Sequence, residues 1–374
     1  MEIAFTPAEQ AFRAEARAWF DANPPGAMAS MDTREGFEQH RAWEKRLHDG
    51  GWAAVNWPRA FGGRDATLIE WLIFEEEYYR ARAPRRLNQN GLFLLAPTLL
   101  EYGTDVQKSR FLPTIASCDE IWCQGWSEPN AGSDLASLTS RATRDGDAWV
   151  LSGQKTWASR GVYADWMFGL FRSDPSSERH RGLSYILVPL DAPGVTVRPI
   201  AQIDGEPGFA EVFLDDVRVP VANTLGPEGD GWKIAMSTAG FERGVVLRSP
   251  GRFTATASRL VELFKARGAP GALRGDVVRG WMNAEAYRLA TYWAVSRLLD
   301  GGTIGAEASL NKLWWSEMDL DLHETAQRLL GEDAPLDGAW LDGFVFSLAG
   351  PIYAGTNEIQ RNIVAERVLG LPRS

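Results

Sequence analysis

Two hydroxyl-bearing, glycine-containing segments carry residue types that could hold a flat, acceptor-rich ligand: WCQGWSEPNAGSD at Trp122 to Asp134, and LSGQKTWASRG at Leu151 to Gly161. In the first, Pro129, Asn130 and Gly132 break the backbone into turns, which frees N–H groups and the Ser127 and Ser133 hydroxyls to donate. In the second, Trp157 stands two residues before Ser159, and on a strand alternate side chains share one face. An indole wall beside a hydroxyl donor suits a heteroaromatic ring with hydrogen-bonding edges. The same residues equally suit a Ser- and Gly-rich turn with a half-buried core tryptophan, and this stretch alone leaves both readings open.

The elements that must position these segments follow from periodicity. Between residues 122 and 226 the hydrophobic period is two: Leu138 to Arg144 and Ala148 to Ser152 flank the hairpin signal Asp145-Gly146. Further strands are expected at Asp165 to Phe171, Leu183 to Leu190, Gly194 to Ile200 and Glu211 to Val219, together a small antiparallel barrel or sandwich. Residues 1–121 read as an all-helical domain. Thr6-Pro7 opens a helix with Phe12, Ala16, Trp19 and Phe20 at helical spacing, Glu70 to Tyr79 continues the pattern, and WPRAFGG at Trp57 to Gly63 is a loop. Residues 227–374 read as a four-helix bundle, with helices near 232–266, 274–300, 304–331 and 357–369, the first interrupted by Pro250. Asn357 with Gln360 three residues on has the spacing of a helix N-cap, whose exposed N–H groups suit a phosphate.

Length and composition narrow the function classes. The 374 residues allow two or three domains with a large core, and 45% hydrophobic with 24% charged residues is ordinary for a globular chain. A formal net charge of -10 and a pI near 5.1 disfavour nucleic acid or an anionic membrane as the main partner, while leaving room for a local basic pocket. No apolar run approaches the roughly 18 residues of a membrane span. The first residues lack a signal-peptide pattern, and Cys118 and Cys123 are too few for a disulfide framework, so a cytosolic location is expected. His40, His48, His180 and His323 are scattered, so no metal site is expected.

The helical–β–helical order resembles the acyl-CoA dehydrogenase family. So do WSEPNAGSD, SGQKTWAS, FLDDVRVP at Phe213 to Pro220 and IYAGTNEIQRNIVAERVLGLP at Ile352 to Pro372. The resemblance spans essentially the whole chain and implies an FAD flavoprotein, with a β-domain between two helical domains. It further implies a homo-oligomer, dimer or tetramer, or a heteromeric pair. Residue by residue, it implies that Ser127 bonds the pyrimidine edge of the flavin and that the Trp126 backbone approaches it. Ser133 lies near the pyrophosphate, Trp157 against the ring, and Ser159 where the family places a Thr bonding flavin N5. Thr356 and Glu358 match positions that contact FAD from the last helix.

The resemblance breaks at one chemically decisive place. Where the commonest members carry the glutamate that removes the substrate α-proton, this chain has Ala354, and a methyl group cannot accept a proton. Isovaleryl-CoA dehydrogenase and bacterial sterol side-chain dehydrogenases carry the base on the bundle helix, directly before an arginine. Here that place reads Gly240-Phe241-Glu242-Arg243-Gly244-Val245, which makes Glu242 the candidate base and Arg243 its neighbouring cation. Phe241, Val245 and Val246 are apolar, so burial should raise the Glu242 carboxyl towards a base's working range, although adjacent charges on a helix are more often exposed. The family's Arg-x-x-Phe-Gly segment is replaced by RGAPGALRGDVVRG from Arg267, and its glutamine-and-double-glycine motif by DGFVFSLAG at Asp342 to Gly350. Adenine contacts should therefore differ.

The expected reaction is α,β-desaturation of an acyl-CoA. Glu242 takes the proton, the Ala354 backbone N–H helps bind the thioester oxygen, and electrons pass to an electron-transfer flavoprotein or similar carrier. Arg172, Arg179, His180 and Arg181 are candidates for the CoA phosphates. Two alternatives are a monooxygenase or oxidase on the same fold, and a non-catalytic partner subunit, which Ala354 keeps open.

Overall fold

The computed structural model describes residues 4–243, 248–303, 305–336 and 338–372, without the side chains of Glu242 and Arg243. Helices α1 (Pro7–Ala22), α2 (Arg34–Asp49), α3 (Leu68–Arg80), α4 (Ala96–Tyr102) and α5 (Asp105–Ala116) come first. Strands β1 (Trp122–Gly125), β2 (Arg141–Asp145), β3 (Ala148–Ser159), β4 (Trp166–Arg172), β5 (Leu183–Pro189), β6 (Val195–Ile200) and β7 (Phe209–Pro220) follow. The chain then returns to helix in α6 (Gly231–Arg243), α7 (Pro250–Ala266), α8 (Arg274–Leu299), α9 (Ala308–Leu330), α10 (Gly338–Leu348) and α11 (Asn357–Ile363). No described helix is long and apolar enough to cross a membrane.

Packing divides the chain into two compact units that do not follow chain order. One comprises residues 27–65 and 85–241, the other residues 1–26, 66–84 and 242–374.

The first unit is built on a seven-stranded sheet in the order β1-β4-β2-β3-β7-β6, with β5 also paired to β4. The expected hairpin is present, Asp145 facing Ala148 across Gly146 at φ +63. Most neighbours are antiparallel, as the period-two pattern implies, while β4 runs parallel to β1 and β2. β1 was not anticipated, because its four residues WCQG give too little alternation to read. The sheet's core gathers Trp149, Leu151, Met167, Ile186, Val212 and Val217.

The second unit is the helical bundle with α1 and α3. Pro250 ends the expected long helix as anticipated: it opens α7 at the first position, where its missing N–H costs nothing, and the Ser249 hydroxyl caps the Gly251 N–H at 3.2 Å. A Cβ on Gly251 would stand 2.7 Å from the Glu75 carbonyl oxygen, so only glycine allows α7 this close to α3. Glu77 on α3 ties α1 to it, accepting from Arg13, Arg17 and Arg80 at 3.1, 2.8 and 2.7 Å. Helix α10 was missed. Gly343 is where α10 meets α9, a Cβ there standing 2.3 Å from His323 Nε2.

Candidate active site

β3 carries the first half of the candidate site. Its pairing with β7 slips between Lys155 and Ala158, a bulge with one extra residue on β3. Trp157 sits in that bulge with φ +60, a left-handed conformation that costs a bulky residue about 1 kcal/mol or more. The consequence is directional. Thr156 and Ala158 face inward, while the Trp157 indole stands 58% exposed with its edge against Phe209 at 5.8 Å. Ser159 is half-buried and is followed by a second left-handed residue, Arg160 (φ +54), whose N–H donates to the Gly208 carbonyl at 2.8 Å.

The turn after β1 is fixed to this strand from beneath. The Thr156 N–H donates to the Ser127 carbonyl at 2.9 Å. Lys155, fully buried, donates from Nζ to Glu128 at 2.8 Å and to the Leu170 carbonyl at 2.7 Å, with the Trp126 carbonyl at 3.4 Å. Glu128 accepts in addition from the Thr139 N–H and hydroxyl and from the Ser140 N–H, at 2.7, 2.9 and 2.9 Å. Burial pushes the Glu128 carboxyl up, but the Lys155 charge and these donors outweigh it and hold the group down to about 2. Sequence reasoning missed the pair. Its one legible signal is a lysine in phase with Trp149 and Leu151, on the inward face of β3.

The pair has a pH signature. A carboxyl whose folded value lies below its unfolded value stabilises fully above the unfolded value and progressively loses that contribution as pH falls. For Glu128 the window runs from 4.5 down to about 2. Lowering the pH from 6 to 3 should therefore remove about 2 kcal/mol from this group alone. Urea unfolding at the two pH values checks it, since Glu128→Gln should show a correspondingly shallower dependence.

The hydroxyls of Ser127, Ser133 and Ser159 make no hydrogen bond among the described residues, and Trp126 Nε1 is buried without a partner. The Ser127 and Ser159 hydroxyls, on the two segments joined at Thr156 next to the outward Trp157, fit a flat heteroaromatic ring with acceptor edges. Ser133 lies on an exposed turn whose next residue, Asp134, pairs with Arg179 at 2.7 Å.

Two of the four residues considered for CoA phosphates are committed elsewhere. Arg172 donates to the carbonyls of Ser177, Arg179 and Arg181 at 3.2, 3.0 and 3.1 Å, pinning its own loop, and Arg179 holds Asp134. His180 packs on Trp232 with centroids 4.4 Å apart.

The remaining site residues lie in the helical unit. Thr356, not Asn357, caps α11, its hydroxyl accepting from the Ile359 N–H at 3.3 Å. Asn357 turns inward instead, accepting from Lys312 Nζ at 2.7 Å and Ser316 at 3.2 Å, so the expected cap is displaced by one residue. Gln360 donates to the carbonyls of Ala354 and Gly355 at 3.3 and 3.1 Å, and both residues have positive φ, +58 and +79. Glu358 is exposed. Glu242 and Arg243 form the end of α6, and their side chains lie outside the described residues. No cluster of potential metal ligands occurs among the described residues.

The helical–β–helical order of the elements is the order of the family domains that the chain matches. Residues 6–119, 123–217 and 229–369 match the N-terminal, middle and C-terminal domains of acyl-CoA dehydrogenase, and the chain belongs to that family. Its activity is acyl-CoA dehydrogenation, an oxidation at a CH–CH bond, and the family uses FAD. It is 43% identical over 393 aligned residues to acyl-CoA dehydrogenase IpdE1 of Mycolicibacterium smegmatis, covering 97% of this chain and 98% of that one. To FadE26 of Mycobacterium tuberculosis it is 34% identical, with both chains fully covered. Among solved structures, the steroid ACAD Tcur3481–Tcur3483 superposes with a TM-score of 0.87 at 31% identity over the whole of both chains. The ChsE4–ChsE5 complex from Mycobacterium tuberculosis does so with 0.85 at 32%, again over both chains in full.

Proposed function

We propose that the chain desaturates the α,β-bond of a bulky, sterol-derived acyl-CoA thioester and works in an oligomer or beside a sister subunit. The observation that carries the site assignment is the left-handed bulge that turns Trp157 outward next to Ser159. Support for the substrate class comes from the likeness to a steroid ACAD and from the small side chain of Ala354 where the commonest members carry a glutamate. The two-component relatives support the pairing.

In this reading Ser127 and Ser159 donate to the edges of the flavin, and Trp157 and the Trp126 backbone line its ring. Ser133 serves the pyrophosphate, while Thr356 and Glu358 contribute from α11. Bound there, FAD would supply the hydride-acceptor chemistry for the β-position, with an electron-transfer flavoprotein or a similar carrier as the partner that takes the electrons on. The chain's own residues handle the proton and the carbonyl. Glu242 takes the α-proton, Arg243 orients that carboxylate, and the Ala354 backbone N–H donates to the thioester oxygen as charge grows there.

Anaerobic titration of the purified protein with a panel of acyl-CoAs, followed by flavin absorbance, tests the reading. Bleaching by sterol-derived thioesters is expected. Absence of bleaching by any thioester, with or without a sister subunit, would overturn it, and fast reoxidation of the bleached protein in air would favour an oxidase. Because Ala354 replaces the commonest base, little or no flavin in this chain together with bleaching only in the presence of a sister subunit would identify it as the supporting partner.

A further inference from the structure

The helical unit holds a group of buried donors that have no acceptors among the described residues. Arg248, just ahead of α7, is only 9% exposed, and its guanidinium lies over the rings of Trp315 at 4.7 Å and Tyr353 at 5.2 Å. Those two rings stack on each other, centroids 5.8 Å apart and inclined by 29°. The three side chains are thus in mutual contact. Among the described residues, Arg248 Nε, Trp315 Nε1 and the Tyr353 hydroxyl are each buried without a hydrogen-bond partner. The backbone beneath is fixed, since the Tyr287 hydroxyl donates to the Arg248 carbonyl at 2.9 Å and Ser249 caps α7.

The neighbouring buried guanidinium shows what Arg248 lacks. Arg252 is matched by the Asp319 carboxylate, whereas Arg248 makes no ion pair among the described residues. A buried cation without an anion is costly, and aromatic faces return only part of that cost. Its planar fork matches a carboxylate bidentately, and a phenol can add a further donor to the same anion.

We propose that Arg248 and Tyr353 form a docking point for a carboxylate carried on the acyl portion of the substrate. This rests on the desaturase reading, in which Ala354, next in the chain to Tyr353, contacts the thioester carbonyl. A donor one residue away then serves the acyl group rather than the distant adenine end of CoA. Arg248 is accordingly a specificity-determining residue: it selects acid-bearing acyl-CoAs over neutral ones of the same length.

Isothermal titration of the holoenzyme with succinyl-, adipyl- and suberyl-CoA, beside butyryl-, hexanoyl- and octanoyl-CoA, tests the assignment. At least one acid should bind about tenfold or more tightly than its neutral partner, the usual worth of a charge-assisted contact. Arg248→Met should bring that ratio to near one, with the change in turnover appearing in KM rather than kcat. Arg248→Lys should keep part of the preference and Tyr353→Phe should weaken it. A wild-type protein with no preference in any pair overturns the proposal, as does a preference that survives Arg248→Met. If Arg248→Met does not fold, an unchanged preference in both Arg248→Lys and Tyr353→Phe overturns it. Glutarate alone is the control: binding as tight as that of the acid thioesters would make this a general anion site and overturn the substrate assignment. Should neither these thioesters nor a sterol-derived acyl-CoA bind, the desaturase reading fails, whereas loss of glutarate binding in Arg248→Met would still support an anion site.

Discussion

Replacing Glu242 by glutamine should leave FAD bound and lower kcat with the best acyl-CoA by about 10³-fold, within the range that a positioned general base contributes. Glutamine keeps the size and hydrogen-bonding shape of the side chain and removes only its ability to take a proton. The loss should therefore appear in single-turnover flavin bleaching and leave thioester binding largely intact. The wild-type rate should rise with pH as the carboxylate ionises, and that limb should vanish from the variant. A companion variant moves the base. Adding Ala354→Glu to Glu242→Gln places a carboxylate where the commonest members of the family carry theirs, and part of the lost rate should return. Ala354 already occupies a left-handed conformation, so a non-glycine side chain is accommodated there. Unimpaired bleaching in Glu242→Gln would remove Glu242 from the mechanism.

The second large effect concerns Lys155 and Glu128. Lys155→Met should destabilise the sheet-bearing unit by about 3–5 kcal/mol, because it leaves Glu128 buried and still charged. Glu128→Gln should cost a similar amount by stranding the lysine. The double variant Lys155→Met with Glu128→Leu should recover much of either loss, since it buries no charge, although the Thr139 and Ser140 donors then lack their acceptor. Urea unfolding of the four proteins closes the cycle. Because Lys155 also braces the Trp126 carbonyl and Thr156 holds Ser127, FAD affinity should fall in both single variants even where the protein remains folded. Equal FAD affinity in all four would reduce the pair to a core contact.

Much of the architecture is legible from local chemistry. Asp145-Gly146 signals its hairpin, Pro250 interrupts the helical pattern, and period-two alternation marks β6 and β7. Simple alternation gives Trp157 and Ser159 a shared face, but it also puts Trp157 in phase with the buried Lys155, so the outward direction is the work of the bulge. Nothing in KTWAS announces an extra residue facing β7; a bulge is a property of two strands together. Partnerships over long sequence separations were equally hidden. The phase of Lys155 with Trp149 and Leu151 does not name Glu128 as its partner, and Arg172 reads as a phosphate ligand until its loop folds around it. The helix cap moved by one residue because Asn357 is drawn inward by Lys312, a pull that spacing alone does not reveal.

The division of the chain into discontinuous units sets an order of assembly. The chain passes from one unit to the other after Gly26, Asp65, Pro84 and Phe241. The sheet-bearing unit is complete once residue 241 has been synthesised. The helical unit must wait, because α1 and α3 belong with helices made last, and its contacts close the longest loops in the molecule. Until then α1 and α3 expose the apolar faces that the bundle will cover, so a nascent or truncated chain lacking its last helices should be a substrate for holdase chaperones and proteases. Glu242 is the first residue beyond the last passage, so the candidate proton acceptor falls where the early-folding part of the chain gives way to the late one.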